Sequence, residues 1–344
     1  MLTVFLLAVA LWAFATLFGV PSRLRAALIF GLWMLVVLIN LTLPSESSLR
    51  LATGGDVRPW LVLALSVALI GAYRFALLRL RTRARASLPP LGAAPLFSEA
   101  ELSRYARHMM LREIGGPGQK RLKQSKVLVI GAGGLGSPAL LYLAATGVGT
   151  IGVIDDDSVE GSNLQRQVIH TDARIGMPKV VSAAQQMQAL NPFITVRPYH
   201  RRLTDSDAET LFAGYDLILD GTDNFDTRYL ANRTAVKLGK PLIAAAITQW
   251  EGQISLYDPA RGGPCFQCVF PERPAPGLVP TCAEAGVIAP LPGVLGTMMA
   301  LEAIKTLTDA GASLRGSLLI YDGLYGEIRK INTRPRPDCP ICAG

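Results

Sequence analysis

The spacing of apolar and polar positions changes character once along the chain. Up to about residue 86, apolar residues run with little periodic interruption. MLTVFLLAVALWAFATLFGV carries no charge over its first twenty residues. After a short basic turn comes ALIFGLWMLVVLINLTL, and WLVLALSVALIGAY opens a third segment. That segment extends to Leu80 if Arg74 and Arg79 carry their charges outward on apolar stems. Helices are predicted at about 2–20, 26–43 and 60–80, each about long enough for a hydrocarbon core of roughly 30 Å, the second by a small margin. A cleaved signal peptide is the rival for the first, but it would need a basic start and a cleavage site, and a second span follows. A buried hairpin is a weaker rival, because helices of soluble proteins keep a polar face.

From about residue 97 the rhythm becomes strand, turn, helix. KVLVI is an apolar strand that exits into GAGGLGS, and PALLYLAATG reads as a helix with Pro138 near its start, where a missing N–H costs nothing. TIGVID is a second strand and DLILDG a further buried one. FDTRYLANRTAVKLG and GVLGTMMALEAIKTL read as helices, and PLIAAAI, GQISLYD and SLLIYDG add strands. Such alternation predicts an α/β fold with a mostly parallel sheet and helices on both faces. No internal repeat is visible. The organisation expected is a membrane region over 1–86, a linker over 87–96 that contains SLPPLGAAP, and a soluble body over 97–344.

Charge sharpens this division. The chain carries a net charge of +8, and residues 1–86 hold +7 of it, from nine arginines against Glu46 and Asp56. The soluble body is therefore nearly neutral, which gives little support to nucleic acid as a partner. Arg23 and Arg25 lie in the first loop, and Arg74, Arg79, Arg81, Arg83 and Arg85 cluster at the end of the third segment. Three spans with the N-terminus outside put both clusters, and the body, on the cytoplasmic side of the inner membrane.

The chemistry begins at Gly131-x-Gly133-x-x-Gly136, which lets a backbone approach phosphate at a helix N-terminus. Asp155 ends the second strand and can hold ribose hydroxyls. The bland alternative is a tight strand–helix turn. No G-x-x-x-x-G-K-[ST] occurs, so this is not a P-loop chain. The stretch IDDDSVEGSNLQRQ decides between kinds of nucleotide chemistry. Hydride transfer leaves a pyrophosphate intact and needs no extra cation, whereas nucleotidyl transfer builds charge that cations and a metal must stabilise. Arg166 follows the second strand, Lys179 opens the next helix, and Asp223 in GTDN is a candidate Mg²⁺ ligand. Arg107, in RYARHMML, precedes the fold and must reach in from an arm or another subunit. Each alone reads as a solvated surface group; their joint occurrence argues otherwise.

Cys265-x-x-Cys268 and Cys339-x-x-Cys342 match the knuckles of a tetrahedral, structural Cys₄ zinc site. Redox dithiols are the rival reading, and a disulfide is disfavoured in a reducing cytoplasm. With the chain ending two residues after Cys342, no further domain is expected. Cys282 is either a nucleophile toward an activated carbonyl or a small inert residue. His108, His170 and His200 show no ligand or triad spacing.

Taken together, RYARHMML, GAGGLGS, SNLQRQ, GMPKV, GTDN, the two CxxC pairs and TCAEAGVIAPLPGVLG resemble the MoeB/ThiF/HesA adenylyltransferases, relatives of ubiquitin-activating enzymes. The resemblance covers about residues 97–344 and implies a Rossmann-like body that uses ATP and Mg²⁺. The implied partner is a small ubiquitin-fold sulfur carrier ending in Gly-Gly, MoaD-like or ThiS-like, whose carboxylate becomes an acyl-adenylate. It implies nucleotide contacts from Gly131, Gly133, Gly134, Gly136, Asp155, Asp157, Ser162, Asn163, Leu164, Gln165, Arg166, Lys179, Asp223 and Asn224. Arg107 would act as an arginine finger across a homodimer, and Cys282 would link covalently to the partner. The MoeB type, acting in molybdenum-cofactor synthesis, is the expectation; ThiF-type activation for thiamine is its rival. A tRNA-modifying relative would predict tRNA binding. An NAD-dependent oxidoreductase leaves Arg166, Lys179, Asp223 and the cysteines unexplained, and a non-catalytic membrane scaffold leaves the triphosphate chemistry unexplained. Residues 1–86 depart from the family pattern and predict a tether.

Overall fold

The computed structural model describes residues 2–86, 96–274 and 285–343. The chain divides into two units, Met1–Ala94 and Pro95–Gly344. The expected linker, apart from Leu96, and Cys282 lie outside the described residues.

The first unit is helical: α1 (Leu2–Leu17), α2 (Ser22–Thr42), the short α3 (Ser48–Ala52) and α4 (Arg58–Ala86). The second and last of these are long and apolar enough to cross a membrane. The first is shorter than expected. Its 16 residues rise about 24 Å, and it stops where Gly19 turns into the left-handed region ahead of Pro21. Polar pins set the turns. Trp60 donates from Nε1 to the Thr53 carbonyl (3.1 Å), and Asn40 donates to Val36 O and Thr53 Oγ1, each at 2.9 Å.

The second unit is built on one eight-stranded sheet in the order β3-β2-β1-β4-β5-β6-β7-β8. Its strands are β1 (Lys126–Ile130), β2 (Thr150–Asp155), β3 (Thr195–His200), β4 (Leu217–Asp220), β5 (Leu242–Ile247), β6 (Glu251–Tyr257), β7 (Ser317–Asp322) and β8 (Glu327–Asn332). The first five run parallel. The last three join antiparallel, so the sheet is mostly parallel, as expected, with an antiparallel edge. Chain length accounts for two of these pairings, since Thr248–Trp250 and residues 323–326 leave room only for hairpins, while a parallel crossover needs a dozen residues or more.

Helices cover both faces. Val127 and Val129 of β1 enter one core, with α6 (Gly115–Gln124), α7 (Gly136–Ala145), α8 (Lys179–Leu190) and α12 (Pro290–Thr308). Leu128 and Ile130 enter the other, with α9 (Asp205–Ala213) and α10 (Phe225–Lys237). This alternate burial of an apolar run is the signature of a strand sandwiched between helix layers. The order reverses at β1, with β2 on one side and β4 on the other. Ligands of open α/β sheets bind at the carboxyl ends of strands beside such a switch point.

Candidate active site

The turn after β1 owes its shape to two glycines. Gly131 sits at φ +92°, in the left-handed region that a side chain disfavours. At Gly136 a Cβ would lie 2.0 Å from the Gly131 carbonyl oxygen, so only glycine lets α7 start this close to the strand. The Asp155 carboxylate braces the turn, accepting from the N–H of Ala132 (2.7 Å) and of Asp157 (2.8 Å). Burial raises the Asp155 pKa above the ordinary carboxylate value, against the pull of those two backbone donors.

A cavity of about 870 Å³ opens on this turn, within the size range of ligand sites. The ends of β1, β2, β4 and β5 form its floor, and cations crowd its walls. Lys179 is buried at the start of α8, with its ammonium 2.7 Å from Asp157 Oδ2. Arg166 donates to Asn163 Oδ1 at 2.8 Å. Arg202 reaches Asp156 at 3.3 Å. Arg228, buried on α10, donates to Ala245 O at 2.6 Å and to Thr222 O, so it ties the β4–α10 loop to β5. That loop presents Asp223 to the cavity, while Asn224 caps α10 by accepting from Thr227 N at 3.2 Å. A glycine turn, a ribose-type carboxylate, several cations and an exposed acid together suit a bound nucleotide triphosphate.

A family model described as the ThiF family matches residues 105–341. This chain belongs to the ThiF family. It is 49% identical over 250 residues to the sulfur carrier protein adenylyltransferase of Thermus thermophilus, covering 72% of this chain and 92% of that protein. It is 51% identical over 258 residues to the probable adenylyltransferase/sulfurtransferase MoeZ of Mycobacterium tuberculosis, covering 74% of this chain and 66% of MoeZ. Among solved structures, E. coli MccB with ATP shares the fold, with a TM-score of 0.62 at 23% identity over 70% of this chain and 75% of that one. The chain is accordingly an adenylyltransferase of the MoeB/ThiF type.

In this ThiF-family chain the cavity brings together Gly131, Gly133, Gly134, Asp155, Asp157, Asn163, Arg166, Lys179, Asp223 and Asn224. Four of the expected nucleotide contacts are not on its wall. Gly136 serves backbone packing instead, and Ser162, Leu164 and Gln165 lie on a short helical turn that aims only Asn163, Arg166 and Gln167 inward. Arg107 lies exposed on α5 (Glu99–Met109) and does not line the cavity of its own chain. Sequence reasoning missed Arg201, Arg202, Arg228 and Gln167. The last is buried beside Gly133, and its Oε1 has no hydrogen-bond partner among the described residues. The sequence marks it only as a second glutamine in SNLQRQ, two positions beyond Gln165.

The four paired cysteines converge as their spacing requires. Their Sγ atoms all lie within 4.8 Å of one another, with Cys265–Cys268 at 3.8 Å, Cys265–Cys339 at 3.6 Å and Cys268–Cys342 at 3.3 Å. A tetrahedral ion with metal–sulfur bonds near 2.3 Å needs edges of about 3.8 Å, and a disulfide needs about 2.05 Å. The set therefore fits a metal and not cystines. Burial pushes the Cys265 thiol up to about 11 in the metal-free protein. The N–H of Arg336 points at Cys268 Sγ at 3.4 Å, a contact typical of the shell around a ligand.

Proposed function

We propose that this chain adenylylates the C-terminal Gly-Gly carboxylate of a small ubiquitin-fold sulfur carrier, MoaD-like, ahead of sulfur transfer in molybdenum-cofactor synthesis. One observation carries the reading: a single cavity joins the glycine turn and Asp155 to Arg166, Lys179 and Asp223. The names of the similar proteins support the carrier as substrate. A carboxylate oxygen of the carrier attacks the α-phosphorus of ATP, the bond to the bridging β-phosphate oxygen breaks, and pyrophosphate leaves. Asp155 holds the ribose hydroxyls. Asn163, Arg166 and Lys179 meet the charge that grows on the phosphates. Mg²⁺, when bound, screens the triphosphate, with Asp223 as its ligand. Arg107 completes the site from a second copy in a homodimer, and Cys282 is the candidate for a covalent link to the carrier. Zn²⁺ is the ion for the four cysteines, in a structural role, since no ligand position is left open.

The first unit, in this proposal, tethers the enzyme to the cytoplasmic membrane with the second unit on the cytoplasmic side. Its support is the apolar surface that α2 and α4 expose and the arginines at the end of α4. Recovery of full-length protein entirely in the soluble fraction would refute this. The activity is tested by ATP–pyrophosphate exchange on the full chain with a MoaD-like and a ThiS-like protein supplied separately. Exchange with the first alone is expected. Exchange with the second alone would move the enzyme to thiamine synthesis, and exchange with neither would end the carrier reading.

A further inference from the structure

One histidine without any sequence signal lies directly under the glycine turn. His170 is buried, with Nε2 2.9 Å from the Ala132 carbonyl oxygen and Nδ1 2.9 Å from Ser182 Oγ. A carbonyl oxygen only accepts, so Nε2 carries a proton, while the Ser182 hydroxyl can serve Nδ1 as donor or as acceptor. Burial favours the neutral ring, and in that ring Nδ1 accepts from Ser182 and a single tautomer is fixed. Ala132 is gripped at both ends, its N–H by Asp155 and its C=O by His170. Ser182 stands on α8 one turn beyond Lys179, and Lys179 returns to the same bracket through Asp157, whose N–H Asp155 also accepts. The result is a closed ring of contacts from the glycine turn to the phosphate-facing lysine.

We propose that His170 is a positioning residue for nucleotide binding, whose neutral Nε2–H imidazole fixes the glycine turn relative to the helix that carries Lys179. The proposal rests on the nucleotide reading of the cavity. His170 does not line that cavity and acts only through Ala132 and Ser182. The charged groups around it agree with a neutral ring. Burial lowers its pKa first, and the nearby cations Lys179 and Arg174 add to this, against the hydrogen bond to Ala132. Asp155 and Asp157 hydrogen-bond to Ala132 and Lys179, the neighbours of the ring.

The test uses the full chain with histidine labelled by ¹⁵N in the ring. Three histidines give three ring patterns, and the His170→Gln variant assigns the one that disappears. A neutral Nε2–H pattern at pH 7 is expected; an imidazolium or an Nδ1–H pattern would overturn the proposal whatever the enzyme's substrate. ATP affinity is then measured by direct binding and as KM in exchange. His170→Leu removes one hydrogen bond to the turn and should weaken ATP about three- to tenfold, with kcat changed less. His170→Gln, whose amide can still donate to Ala132, should restore most of that loss. ATP affinity within twofold of wild type in His170→Leu, or an equal loss in both variants, would sink the positioning role. If His170→Leu does not fold, the ring pattern and the near-normal ATP affinity expected of His170→Gln remain decisive.

Discussion

Gly136 shows how little room the nucleotide turn leaves. Gly136→Ala forces a Cβ to within 2.0 Å of a carbonyl oxygen, so α7 must withdraw from the strand. It should cost on the order of 3 kcal/mol, read as a lower melting temperature, and it should abolish ATP binding in what remains folded. His170 carries a different signature. Its folded-state pKa lies below the unfolded value of about 6.5. The unfolded chain therefore binds more protons, and stability rises with pH through this group. Its contribution is complete above about pH 6.5 and is lost as pH falls through the folded-state value. Wild type should lose more melting temperature than His170→Gln on going from pH 7 to pH 5. That Gly131, Gly133, Asp155, Arg166, Lys179 and Asp223 gather at one cavity was legible in the sequence, because each sits after a strand or at a helix start. Arg228, His170 and Gln167 were not. Each is a polar residue buried by parts of the chain distant in sequence, and a polar letter reads as solvated until that packing is known.

At the scale of elements, the parallel half of the sheet was readable from apolar runs alternating with amphipathic helices. The edges were not. TVRPYH and EIRKIN contain too few buried positions to register as strands, and β8 is exposed along its whole length. Segment α1 failed for the opposite reason, since apolarity continues through Phe18 while Gly19 and Pro21 end the helix. The β4–α10 connection is the element on which the site depends most. Asn224→Ala removes the α10 cap and should lower stability by about 1 kcal/mol in thermal unfolding. Arg228→Met leaves the buried carbonyls of Thr222 and Ala245 without their donor and should cost more, roughly 2–4 kcal/mol. Because that donor holds the loop bearing Asp223, KM for Mg-ATP should rise in Arg228→Met at temperatures where the protein stays folded.

Across the second unit, the cysteine cluster joins distant parts of the chain and stands against the cavity. Its first pair belongs to the single helical turn α11 (Phe266–Val269), with Cys265 at the N-cap and Cys268 inside, and Phe266 and Phe270 line the cavity. Phe266 is held from behind by Asn232 of α10, which accepts its N–H at 2.8 Å. Metal removal with a strong chelator should therefore lower the melting temperature and weaken ATP binding together, and restored zinc should recover both. Unchanged ATP affinity in the metal-free, folded protein would uncouple the two. The convergence of the four cysteines was legible from their spacing, but its closeness to the cavity was not, because nothing in two CxxC pairs says which strand end they face. The same staple decides where the chain's tail emerges. Cys339 and Cys342 return residues 339–343 to the α11 turn, so a partner fused beyond them would leave the body beside the cavity wall, and not at the free β8 edge. Such a fusion would crowd the approach of a macromolecular substrate.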